Sequence, residues 1–199
     1  MIVTKLIKDK TDNYKVIIDN NNEYIFSSDI IVEYRLVEGK EITEAILNDA
    51  KLKNNISIYY NKALNYALTY NRTKSQMIDY LLKFDLSNNE ISIIIDKLIK
   101  VKAVNDHDLI MNYTLCLVNK GYGKLMIEKK LYEHKFEKED IKLAIENIEY
   151  DNYRKKLDEI SRKKYESFTK ESEYEKVVKV KKYLLSRGYS YEEISNITF

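Results

Sequence analysis

The sequence predicts a mainly α-helical chain: tandem three-helix repeats in an elongated array, preceded by a small β-containing module. Three observations predict it. The 199 residues include no proline and only 4 glycines, which permits helix after helix and excludes collagen-like, polyproline and glycine-dense nucleotide-binding architectures. Near Thr43 the apolar pattern changes from short β-branched runs to helical i, i+3, i+4 spacing. Beyond that point the chain resembles itself at offsets of 50 and then 53 residues.

In chain order, Val3 to Lys8 is a short alternating strand and Lys10 to Asn13 a turn cluster. Tyr14 to Asp19 is a second β-branched run, Asn20 to Asn22 another turn, and Glu23 to Phe26 a third strand. Three short strands bury too little surface to stand alone, so they are expected to pack on a helix. Ser28-Asp29 opens one, with Ile30, Ile31, Tyr34 and Leu36 as its apolar side, and Gly39 is a turn residue. Ile42, Ile46 and Leu47 precede a polar break expected at Lys53-Asn54-Asn55. Helical spacing then runs through Tyr59, Tyr60, Ala63, Leu64 and Ala67.

The repeat organises the rest. Leu81, Leu131 and Leu184 correspond, as do Met77, Ile127 and Val180, then Leu86, Phe136 and Tyr189, then Ile91, Ile141 and Ile194. Each unit is expected to hold a first helix near 57–70, 107–119 and 153–168, a second near 73–84, 123–134 and 174–186, and a third near 87–101, 137–149 and 190–198. Ser87 and Ser190 stand at N-cap positions with Glu90 and Glu193 three residues on, the capping-box spacing. The expected modules are 1–50, a hairpin-plus-helix unit, then repeats at 57–105, 106–150 and 151–199, the last shortened. With no proline-marked linker, flexibility is expected in turns such as Lys120-Gly-Tyr-Gly-Lys124. A concave helical-repeat surface usually grips a partner.

Charge is unevenly spread. Residues 1–50 carry 6 basic and 10 acidic side chains, whereas residues 51–199 carry 28 and 22. The basic stretch permits contact with phosphates or an acidic protein surface. The 18 tyrosines are read first as the product of an AT-rich genome rather than as base-stacking groups. A single cysteine, Cys116, excludes a disulfide framework and fits a reducing compartment. No apolar run reaches the ~20 residues of a membrane span, and the N-terminal stretch lacks a secretory core. A cytoplasmic monomer with no membrane association is expected.

No catalytic, metal or cofactor site is expected. Asp106-His107-Asp108 is read as a helix start capped by Asn105 or Asp106. His134 is read as a helix-end or solvated residue, and Cys116 as a core or half-buried small hydrophobe. Gly121-Tyr-Gly123-Lys124 lacks the spacing of a phosphate loop and reads as an interhelical turn. The binding candidates are cations at equivalent turns: Arg72 and Lys74 between the first two helices of one repeat, Lys120 and Lys124 at the same place in the next, and Arg187 before Gly188. The alternative for all five is solvation of a helix end. The lysines of 176–182 are read as a wet helix face.

Several segments resemble the RecX family, regulators of the RecA recombinase. Ala63-Leu-Asn-Tyr-Ala-Leu-Thr-Tyr-Asn-Arg-Thr-Lys-Ser-Gln-Met77 resembles the opening of that family's first repeat, and Val104-Asn-Asp-His-Asp-Leu-Ile-Met-Asn-Tyr113 the entry to its second. Lys120-Gly-Tyr-Gly-Lys124, with Ile127 and Leu131, resembles the turn and helix that follow. Arg187-Gly-Tyr-Ser-Tyr-Glu-Glu-Ile194 resembles the third repeat. The resemblance covers approximately 58–199, and Glu38-Gly-Lys-Glu-Ile42 resembles part of the N-terminal extension of Gram-positive-type members. The chain departs from the family pattern where lysine, or no cation, replaces arginine, which loses bidentate recognition. The resemblance implies a binding protein, not an enzyme. It would lie in the groove of the RecA–single-stranded DNA filament, inhibit recombinase, ATPase and coprotease activities, and serve DNA repair, recombination and the SOS response. Two other readings stay open from the residues alone: a stand-alone binder of single- or double-stranded DNA, and a generic helical-repeat scaffold for another protein.

Overall fold

Residues 1–9 and 13–197 are described by the structure, a computed structural model. Lys10 to Asp12 of the first expected turn lie outside the described residues, as do Thr198 and Phe199 at the end of the last expected helix.

Strands β1 (Val3–Lys8), β2 (Asn13–Ile18) and β3 (Asn22–Ser27) form an antiparallel sheet in the order β1-β2-β3. Asp19 and Asn20 both have positive φ, 50° and 61°, the conformation that tight hairpins require and that Asp and Asn tolerate. Alternation puts Val3, Val16, Ile18 and Phe26 on one face, all at most 1% exposed. That face meets Ile30 and Ile31 of α1 (Ser28–Glu33) and Leu47 and Ala50 of α2 (Glu44–Thr69). The sheet thus acquires its core from helices, as three strands must.

Helix α2 is continuous for 26 residues, so Lys53-Asn54-Asn55 is no break. The stretch contains neither glycine nor proline, and one of its polar residues, Asn54, turns inward while Lys53 stays exposed. Asn54 is 5% exposed. Its Nδ2 donates to the Ile25 carbonyl at 3.0 Å and its Oδ1 accepts from the Ser27 N–H at 3.0 Å. One side chain therefore pairs two partly buried backbone groups on the open edge of β3. Asn55 donates to Glu90 at 3.2 Å.

Two compact units emerge: residues 1–70 with 77–104, and residues 71–76 with 105–199. In the first, α2 packs along α4 (Asn88–Lys100), and the helical stretch 77–81 of α3 (Lys74–Leu81) closes the core with Met77 and Leu81. In the second, α5 (Asp106–Asn119), α6 (Lys124–Glu133) and α7 (Lys138–Glu146) are followed by α8 (Tyr150–Glu166), α9 (Glu173–Ser186) and α10 (Tyr191–Ser195). All six share one apolar core. The last helix has 5 residues where α4 has 13.

Burial follows the repeat register. Leu81, Leu131, Leu184, Met77, Ile127 and Val180 are each 0% exposed. Both expected capping boxes form, at Ser87/Glu90 and Ser190/Glu193, and a third stands at Ser172/Glu175. One position carries a mismatch. Tyr189 occupies the place of Phe136, is 1% exposed, and its buried hydroxyl has no partner among the described residues. Burial pushes that phenol well above the ordinary tyrosine value. Tyr189→Phe should therefore raise stability, by about 1 kcal/mol, because it deletes an unsatisfied polar group and keeps the ring. A urea midpoint below wild type would refute this.

Candidate partner-binding surface

The five candidate cations stand on two turns and one helix end, and the described residues of the second unit include all of them. In the turn 71–76, Thr73 is 0% exposed, and its hydroxyl donates to the His134 carbonyl at 3.4 Å. The Gln76 amide donates to the same carbonyl at 3.3 Å. The Lys74 N–H, at the start of α3, donates to the Asp106 carboxylate at 2.8 Å. Asp106 is half-buried, and this desolvation raises its carboxyl pKa, partly opposed by the Lys74 hydrogen bond.

The equivalent turn repeats the arrangement with different atoms. The Gly123 N–H donates to the Arg187 carbonyl at 2.9 Å, and the Leu125 N–H to the Gly188 carbonyl at 3.2 Å. By the repeat offsets Gly123 is Thr73 and Arg187 is His134. The same helix-end carbonyl is gripped twice, once by a hydroxyl and once by a peptide N–H. Lys124, like Lys74, begins a helix whose first N–H is capped from the following repeat, here by the Tyr153 hydroxyl at 3.1 Å. That hydroxyl donates onward to Glu193 at 2.9 Å. Burial is the main reason the Tyr153 phenol lies far above its ordinary range.

This joint corrects the expectation of a flexible turn at 120–124. Gly123 and Gly188 are both buried, and a Cβ on Gly123 would fall on the backbone of Gly188 and Tyr189. Gly188 has φ +87°, and a Cβ there would fall on the backbone of Met126. The glycines serve close backbone approach rather than hinge motion.

The five cations differ in what remains available. Arg187 turns inward: its Nε donates to the Gly121 carbonyl at 3.1 Å, its Nη2 donates to the Lys120 carbonyl, and its guanidinium lies 4.1 Å from the Tyr122 ring centre. Lys124 is half-buried, with its ammonium 5.6 Å from the Tyr153 ring centre. Lys74 and Lys120 are exposed, and Arg72 is half-buried. Sequence reasoning missed Tyr153 and the joint role of Gly188. Neither carries a periodic signal, because each acts on a residue far away in the chain, 29 positions in the case of Tyr153.

No group of three or more metal-ligating side chains occurs among the described residues. Asn105 caps α5 by accepting from the Asp108 N–H at 3.2 Å, and His107 in that first turn is exposed. His134 is the exposed end residue of α6, its ring 4.3 Å from that of Tyr113. Cys116 is exposed, which corrects the expected core or half-buried position. In the apolar run Leu115 to Val118, packing selects Leu117 and Val118 and turns Cys116 outward with Leu115. No described helix is long and apolar enough to cross a membrane.

Residues 152–197 match the family described as RecX, third three-helix domain. The chain is 26% identical over 182 residues to Regulatory protein RecX of Oceanobacillus iheyensis, a match covering 90% of this chain and 67% of that protein. It is 28% identical over 194 residues to Regulatory protein RecX of Streptococcus uberis, covering 96% and 74%. A crystal structure of a regulatory protein RecX superimposes with TM-score 0.74 over 98% of both chains, at 19% identity, and so shares the fold.

Proposed function

We propose that the chain, similar over most of its length to proteins named RecX and matching the RecX third three-helix domain over residues 152–197, is a RecX-type regulator of RecA that binds the RecA–single-stranded DNA filament. The proposed outcome is inhibition of strand exchange, ATP hydrolysis and coprotease activity, in DNA repair and recombination. The observation that carries this reading is similarity to proteins named RecX over at least nine-tenths of the chain. The repeated turn joint supports it, because two equivalent turns present cations from equivalent places. Several weak, similarly spaced contacts add through effective concentration, which suits a repetitive filament.

In this proposal the chain acts as a binding regulator rather than an enzyme, and the contacting units are the repeats 57–105, 106–150 and 151–199. Lys74, Lys120 and Lys124 carry the electrostatic contact, with Arg72 beside them. Arg187 contributes its charge while its donors hold the Lys120–Gly121 turn. No cofactor takes part.

The test is to add the protein substoichiometrically to RecA on single-stranded DNA and follow ATP hydrolysis and joint-molecule formation. The expected result is a fall in both. The triple substitution Lys74→Ala, Lys120→Ala, Lys124→Ala should need about tenfold more protein for the same effect, since each lost contact to a phosphate or carboxylate weakens binding. Folded protein with no effect at any ratio would overturn the proposal.

A further inference from the structure

Within the second unit, a cavity of about 230 Å³ opens between α5, the end of α7 and the start of α8. Met111 and Leu115, one turn apart on α5, form its apolar rim and are 38% and 52% exposed. Val118, Ala144 and Thr114 line its depth and are buried. The Thr114 hydroxyl is buried with them and has no hydrogen-bond partner among the described residues. The next repeat settles the same position differently. Ser161, 47 residues further on, is buried as well, and its hydroxyl donates to the Leu157 carbonyl at 2.6 Å. Thr114 makes no such bond, so a buried polar group is left unpaired beside an open apolar space, where the matching group of a ligand would remove the cost.

The surroundings of the cavity are acidic. Residues 137–151 carry 6 acidic and 2 basic side chains, and α5 holds Asp106 and Asp108 but no lysine or arginine. Glu149 stands exposed on the rim, and Lys142 pairs with Glu146 instead, at 3.9 Å. Asn147, also on the rim, ends α7, which brings the negative pole of that helix to the cavity. We propose that the cavity receives one tyrosine side chain of a partner protein, presented by an exposed segment in which lysine or arginine flanks that tyrosine.

Size, polarity and charge select this occupant together. Pockets for whole small molecules hold roughly 300–1,000 Å³, so this one suits a single side chain of a larger partner. A leucine or phenylalanine anchor would fill the apolar walls and leave the Thr114 hydroxyl unpaired. A lysine or arginine anchor would carry its charge out of water to a neutral hydroxyl, which is costly. Tyrosine combines an apolar ring with a hydroxyl at its tip that both donates and accepts. Met111, unbranched and flexible, can fit its thioether to the edge of that ring. The acidic surroundings repel phosphate-bearing ligands and attract cations beside the tyrosine.

The inference does not rest on the filament reading. Lys74, Lys120 and Lys124 do not line this cavity, and the test needs no RecA, so either reading can fail alone. The experiment is NMR of isotope-labelled methionine methyl groups in the full chain, titrated with the capped peptide Lys-Lys-Tyr-Lys-Lys to millimolar concentration. The Met111 methyl should shift as the site fills, and that of Met77, 0% exposed, should not. The same peptide with phenylalanine for tyrosine should bind about fivefold more weakly, since it lacks one hydrogen bond. The peptide with glutamates for lysines should produce no shift. Thr114→Val keeps the side-chain shape, removes the hydroxyl, and should bind the tyrosine and phenylalanine peptides alike. Leu115→Lys, at an exposed position that tolerates the change, should abolish binding. The proposal is overturned by equal binding of the two peptides to wild type, by a tyrosine preference that survives in Thr114→Val, or by unchanged binding in Leu115→Lys. It is equally overturned by binding of the glutamate peptide, by no Met111 shift, or by the same shift on adding a thymidine oligonucleotide or on raising the protein concentration alone, which would make the occupant a nucleic acid or a second copy.

Discussion

Gly123→Ala should cost the second unit about 3 kcal/mol, the upper end of what an overpacked site usually loses. The added Cβ would meet the Gly188 carbonyl carbon and oxygen and the Tyr189 nitrogen. These are backbone atoms, so no rotamer change can relieve the overlap. The joint must open, and the hydrogen bonds from Gly123 to the Arg187 carbonyl and from Leu125 to the Gly188 carbonyl lengthen or break. Gly188→Ala should cost as much, because it combines contact with the Met126 backbone with φ +87°. Gly39→Ala is the internal control. Gly39 has φ +83°, but nothing lies within 4 Å of the place its Cβ would take, so only left-handed backbone strain of about 1–2 kcal/mol applies. Urea unfolding followed by far-UV circular dichroism reads all three. A Gly123→Ala protein as stable as Gly39→Ala would show that the two turns are not in contact in solution.

Asn54→Ala should destabilise the first unit by about 1–2 kcal/mol, because it leaves two partly buried backbone groups unpaired at once. The Ile25 carbonyl loses its donor and the Ser27 N–H its acceptor. Asn54→Asp should fare no better: it keeps an acceptor for Ser27, removes the donor to Ile25, and places a charge at a position only 5% exposed. Asn55→Ala is the comparison, since Asn55 is half-buried and its side chain donates to Glu90. Amide hydrogen exchange localises the effect. Ser27 should lose protection in Asn54→Ala and keep it in Asn55→Ala. Equal exchange at Ser27 in both variants would remove Asn54 as the cover of the β3 edge.

Much of the helical framework was legible in the residues. Leu81, Leu131 and Leu184 recur because each second helix must place one leucine at the centre of a three-helix packing, and all three are fully buried. The serine-to-glutamate spacing at Ser87 and Ser190 announced two helix starts because a capping box is made within four residues. The same spacing at Ser172 and Glu175 would have announced a third. Strands and their turns were equally readable, since alternation and positive-φ Asp and Asn are local properties.

The misreadings share one cause. Lys53-Asn54-Asn55 looks like a solvated break until β3 lies beside it, and then Asn54 is the partner that the strand edge needs. Cys116 sits in a run of four apolar residues whose helical phase cannot be assigned without the surrounding helices. Arg187 and Gly123 read as a surface cation and a flexible turn, although they hold each other across 64 positions. Periodicity reports which face of an element is apolar, and so the chain's own pattern determines most of its helices and strands and its repeat register. It has no access to which distant backbone a polar side chain or a glycine will meet. The Asn54 edge cover and the Gly123–Gly188 joint exist only once the helices have packed, because each depends on approach between residues that only the tertiary fold makes neighbours.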